Sequence, residues 1–145
     1  PFSHIELQTY PAQPNCQRHF NGVSFPVYFP MAKRILSISY DRSLLWTRHL
    51  FLQEAGFDVV SALGASEAQR IWQLEGGSFS LVLLGHSIPR ADSRKLIEYI
   101  RERHDVPILA LLRPYEAPVP GASRSIESIE ANVVLATVQE MLSSG

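Results

Sequence analysis

Residues Ser80-Leu81-Val82-Leu83-Leu84 form an apolar run bounded by Gly77 before it and Pro89 after it. A run that is short and uninterrupted reads as a strand buried on both faces, the kind found in parallel sheets covered by helices on each side. In open α/β sheets such strands carry their C-terminal ends to the crevice where function is sited. Here that end is Gly85, which has no side chain, so the position offers no nucleophile.

Strand and helix signals alternate at a regular pace from Met31 onward. Residues 34–38 are predicted as a strand, 44–55 as a helix that Asp41 or Ser43 caps and Gly56 ends, and 57–62 as the next strand. Ser66-Glu67-Ala68-Gln69 has capping-box spacing and opens a helix that turns Ala68, Ile71 and Trp72 inward until Gly76-Gly77 stops it. After the central run, Asp92 opens a helix with Leu96, Ile97 and Ile100 on one face, residues 107–112 form a fourth strand and residues 125–129 a weaker fifth. A last helix from about residue 130 buries Val134, Val138, Met141 and Leu142. Strands and helices in alternation, with short connections, imply a parallel sheet covered on both faces by right-handed crossovers.

With 145 residues, 46% of them hydrophobic, the chain suits one domain with one good core. The net charge of −1 advertises neither nucleic acid nor an anionic membrane surface. Cys16 is the only cysteine, which excludes an internal disulfide and fits a reducing cytoplasm. No apolar stretch approaches the ~20 residues that span a bilayer, so a soluble cytoplasmic protein is expected. Residues 1–30 carry Pro1, Pro11, Pro14, Pro26 and Pro30 with no sustained period, and are expected to be an irregular N-terminal extension or leader ahead of a domain at 31–145. Phe20, Phe25, Val27, Tyr28 and Phe29 would equally let the extension dock on a sheet edge or a neighbouring molecule.

The order and spacing of Ile35-Leu36-Ser37-Ile38, Leu52-Gln53-Glu54-Ala55-Gly56-Phe57-Asp58-Val59, Ala62-Leu63-Gly64-Ala65-Ser66-Glu67-Ala68, Leu81-Val82-Leu83-Leu84, Ile88-Pro89, Val106-Pro107-Ile108-Leu109-Ala110-Leu111 and Gly121-Ala122 resemble the receiver domain of bacterial two-component response regulators. The resemblance covers everything after residue 30 and implies a flavodoxin-like (CheY-like), doubly wound, five-stranded parallel sheet. It also implies a chemistry: a histidine kinase passes a phosphoryl group to an aspartate beside Mg²⁺, a hard cation that needs clustered carboxylates. By that resemblance the paired acids fall on Ser39 and Tyr40, the phosphoacceptor on Gly85, the hydroxyl residue on Leu112, and the lysine near Ser128. The phosphorylation pocket is therefore degenerate, and neither metal nor cofactor is expected. An aspartate restored at position 85 would, on this reading, stand buried without metal, lysine or hydroxyl partners.

Asp41 is the one acid left beside the pocket, with a helix N-cap as its sufficient reason. His86 reads as a loop histidine, and His49 and His104 as surface residues. Arg113-Pro114-Tyr115-Glu116-Ala117-Pro118-Val119-Pro120 holds three prolines where the family places a helix, so the fourth helix is expected to be shortened or absent. Arg113 and Tyr115 are candidate anchors of an interaction edge in that loop.

The function these residues point to is a non-enzymatic, phosphorylation-independent receiver module that binds another signalling protein, with no direct nucleic-acid or membrane contact and a homodimer as an open option. Two alternatives stand beside it. One is a small-molecule-binding or enzymatic flavodoxin-like domain using the space at the strand ends, although no glycine-rich phosphate loop supports it. The other is a receiver phosphorylated at an atypical residue such as Asp41 or Ser87.

Overall fold

A computed structural model describes residues 19–20, 23–24, 32–75 and 77–143. Within the expected extension, β1 (His19–Phe20) pairs antiparallel with β2 (Val23–Ser24). Cys16 and most of the extension's aromatics lie outside the described residues.

The alternation read from the sequence folds as β3 (Arg34–Ser39), α1 (Arg42–Glu54), β4 (Asp58–Leu63), α2 (Ala65–Glu75), β5 (Leu81–Leu84), α3 (Arg90–Arg101), β6 (Ile108–Leu111), β7 (Arg124–Ile126) and α4 (Ala131–Ser143). The five strands β4-β3-β5-β6-β7 form one parallel sheet, the expected doubly wound flavodoxin-like architecture. Among the described residues no helix lies between β6 and β7, as the prolines of that segment dictate.

Side chains alternate across each strand, and the alternation sorts the core into two layers. Leu36, Ile38, Val82, Leu84 and Ile108 pack with Ala68 and Trp72 of α2 and with Leu96, Ile97 and Ile100 of α3. Ile35, Leu81, Leu83, Leu109 and Leu111 pack on the opposite face with Leu52 of α1 and Val134 and Val138 of α4. All four residues of β5 are buried, so this strand is the spine of both layers.

Three helix starts differ from the sequence reading. The first helix begins at Arg42 instead of 44, because Asp41 and not Ser43 is its N-cap. The second helix begins at Ala65, which puts Ser66 inside it; the Glu67 carboxylate instead accepts from the Leu63 amide at 2.7 Å, and the Ala68 amide donates to Gly64 O at 3.1 Å. Glu67 reaches its amide from the first turn, so Ser66 is not needed as a cap. The third helix starts at Arg90 after Pro89, leaving Asp92 in its first turn, where a carboxylate suits the helix dipole.

The face of the sheet under α1 is unusual in composition. Ser37 of β3 pairs in register with Ser61 of β4, so small residues line this face, and α1 fills the space with Leu45, Arg48, His49 and Leu52. His49 is thus buried, not on the surface as its sequence position suggested, with Nδ1 sharing a 2.8 Å hydrogen bond with Ser61 Oγ. Burial pushes the His49 pKa below its ordinary 6.5, against the opposing charge of Asp58. A depressed histidine pKa means the unfolded chain binds the proton more readily, so this contribution to stability is complete above about pH 6.5 and is lost as the pH falls through the folded value. The melting temperature is expected to fall between about pH 7 and 5, and His49→Gln, which keeps a hydrogen bond but cannot protonate, to flatten that slope. A thermal melt series that gives the same slope for both proteins would contradict this.

Candidate functional site

In the sheet order β4-β3-β5, chain connections run away from β3 in opposite directions, so a crevice opens at the C-terminal ends of β3 and β5. Ser39, Tyr40 and Asp41 come from the β3 end, and Gly85, His86 and Ser87 from the β5 end. The Gly85 amide donates to Ile38 O at 2.9 Å and sets the two ends side by side.

Hydroxyl groups join the two turns. Ser39 Oγ, fully buried, lies 3.0 Å from Ser87 Oγ and accepts from the Asp41 amide at 3.0 Å, while the Tyr40 amide donates to Ser87 Oγ at 2.9 Å. The Tyr40 hydroxyl donates to Asp92 Oδ2 at 2.7 Å, and desolvation, followed by that hydrogen bond and the Asp92 charge, raises its pKa to about 12. Asp41 Oδ1 accepts from the Leu44 amide at 3.0 Å, which makes it the N-cap of α1. Asp41→Ala is therefore expected to cost about 1 kcal/mol in chemical denaturation. A loss well below half of that would mean the carboxylate has another use.

Position 85 faces a cation. Arg48 of α1 is 2% exposed, and its buried Nη1 and Nη2 have no hydrogen-bond partner among the described residues. A Cβ at Gly85 would stand 2.7 Å from Arg48 Nη1 and 3.2 Å from Ile38 O. A side chain here must displace the end of the Arg48 side chain and shift Ile38 O by a few tenths of an ångström. Burial lowers the Arg48 pKa, and the Asp41 charge opposes that shift. His86 Nε2 is likewise buried and without a partner among the described residues; burial first, then the charges of Arg48 and Arg113, lower its pKa, with Asp41 and Glu116 opposing. Arg48 escaped the sequence reading, although its spacing with Leu45 and Leu52 puts it on the apolar stripe of its helix.

The other positions lie further out. Leu112 is buried as core just past β6, and Ser128 falls two residues beyond β7, where its hydroxyl accepts from the Glu130 amide at 3.1 Å. The Mg²⁺ that the sequence resemblance implies does not fit this arrangement. Ser39, Tyr40 and Ser87 supply hydroxyls already engaged with one another or with Asp92, Asp41 is spent on its helix, and a buried guanidinium repels a second cation. Among the described residues no three His, Cys, Asp or Glu side chains group as metal ligands would.

The loop after β6 is held by Arg90, whose Nη1 and Nη2 donate to Ala117 O at 2.8 Å and Pro118 O at 2.7 Å. Glu116 adds an acceptor for the Arg113 amide at 2.9 Å. At its tip Tyr115 takes φ +64° and is 99% exposed.

The same architecture occurs in solved receiver structures. The chemotaxis response regulator CheY4 of Vibrio cholerae is 19% identical, with a TM-score of 0.66 over 77% of this chain and 100% of that one. A two-component response regulator from Clostridium difficile is 22% identical, with a TM-score of 0.62 over 76% and 95%. A chain from the complex of histidine kinase ThkA with response regulator protein TrrA is 22% identical, with a TM-score of 0.63 over 76% and 98%. The fold is that of a receiver domain. No protein-family model matches the chain, and no curated protein sequence does.

Proposed function

We propose that this chain is a phosphorylation-independent receiver module of bacterial two-component signalling, working in the cytoplasm by binding another signalling protein. The observation that carries the reading is Arg48: its guanidinium abuts Gly85, so a fixed positive charge stands where phosphoryl chemistry needs a carboxylate and a metal. The 3.0 Å contact between Ser39 Oγ and Ser87 Oγ ties the two strand ends together in the same crevice. Receiver-type architecture in the ThkA–TrrA complex supports a protein partner, and the Arg90-braced loop supplies a fixed edge that projects Tyr115. An aromatic anchor on a braced loop loses little conformational freedom on binding.

The metal half of this reading is tested by melting the protein in millimolar MgCl₂ against NaCl of equal ionic strength. Equal melting temperatures are expected. A rise specific to Mg²⁺, abolished by Asp41→Asn, would establish a cation site and overturn the reading.

A further inference from the structure

An edge strand leaves a row of backbone donors and acceptors open, and proteins cover or blunt such rows. Among the described residues β4 pairs with β3 alone, on one side. The Asp58 amide donates to Lys33 O at 2.9 Å and the Gly64 amide to Ser39 O at 3.0 Å, so the even-numbered amides of this stretch face β3 and the odd-numbered ones face away. Of the latter, Leu63 is closed by the Glu67 carboxylate at 2.7 Å. Val59 and Ser61 remain for an added strand. Apolar side chains flank them on both faces. Trp46, 39% exposed, stacks on His49 at 5.8 Å and so lies beside Ser61, to which His49 Nδ1 is bonded, and Leu50, 45% exposed, follows one helical turn on. On the other face Leu74 is 73% exposed, seven residues from Glu67 and hence on the flank of α2 that Glu67 sets against the edge. An open backbone edge between two apolar flanks is a strand-accepting site.

We propose that residues 25–29 of the chain's own N-terminal extension fill this site as a strand antiparallel to β4. Phe25-Pro26-Val27-Tyr28-Phe29 alternates, with Phe25, Val27 and Phe29 sharing one side. In an antiparallel pair, residues that exchange backbone hydrogen bonds carry their side chains on the same face. Val59 and Ser61 point theirs toward α1, so Phe25, Val27 and Phe29 fall against Trp46 and Leu50. Pro26, which has no amide, then faces outward and blunts the new edge. Reach decides the direction. The five steps from residue 29 to Arg34, where β3 begins, span at most about 17 Å. An antiparallel strand ends beside that point, about 10 Å away across two strand spacings, whereas a parallel one would end about 20 Å away, at the far end of β4. β4 lies on the other side of β3 from the crevice, so the strand-accepting site stands whatever chemistry the crevice holds.

The test is amide hydrogen exchange, read by NMR, on the full chain and on the full-length double variant Phe25→Asp, Val27→Asp. The Val59 and Ser61 amides should exchange about tenfold or more faster in the variant, while those of Val60 and Ala62, which face β3, keep their rates. Equal rates for Val59 and Ser61 in the two proteins overturn the proposal. Should the variant fail to fold, a nuclear Overhauser contact between Val27 and β4 in the parent takes its place, and its absence is equally fatal. Protection of Val59 and Ser61 that appears only as sedimentation shows the parent dimerising also overturns it, and assigns the edge to a second copy of the chain.

Discussion

Leu83→Ala is expected to destabilise the domain by about 3 kcal/mol, because it opens a cavity at a position with no room to collapse. Leu83 is 0% exposed, sits in the middle of β5, and packs in the layer that holds α1 and α4 against the sheet. Urea denaturation should show a lower midpoint with an unchanged slope, since the surface exposed on unfolding is the same. A loss under about 1 kcal/mol would mean that β5 is not the shared spine of the two layers.

Gly85→Asn is expected to cost about 2 kcal/mol, and Gly85→Asp about 1 kcal/mol less than that. Either Cβ would press on Arg48 Nη1, the movable end of a side chain, and on Ile38 O, which is backbone and must shift by a few tenths of an ångström. The two variants share a shape and differ in charge. Only the aspartate meets the unpartnered guanidinium with an opposite charge, so the pair isolates what Arg48 contributes. The expectation drawn from sequence gave an aspartate at 85 no metal, lysine or hydroxyl partner and did not count Arg48. Denaturation of both variants decides it, and an aspartate variant less stable than the asparagine one would show that the guanidinium does not face position 85.

Sequence made the sheet readable because burial on both faces is written directly into composition: Leu81-Val82-Leu83-Leu84 can only be covered on two sides. The absent helix after β6 was equally plain, since Pro114, Pro118 and Pro120 each withhold an amide. The Asp41 cap followed from a short side chain before a periodic segment. Helix starts at Ala65 and Arg90 were displaced because an alternative acceptor, Glu67, and a preset proline φ at Pro89 decided them. The polar layer under α1 was missed for a different reason. Arginine and histidine on a helix are ordinarily solvated, and only the register of Ser37 against Ser61, a tertiary fact, shows that the opposing sheet is small enough to admit them. Leu45, Arg48, His49 and Leu52 share one helical face, and that spacing was the available signal.

In the function proposed above, Arg48 and Gly85 stand in place of the groups that phosphoryl transfer requires. Incubation with acetyl phosphate and Mg²⁺, followed by intact-mass measurement, tests it most directly. The predicted result is an unmodified mass at every incubation time. A stoichiometric gain of about 80 Da, one phosphoryl group, would contradict it, and the modified residue would then be sought first at Asp41 and Ser87.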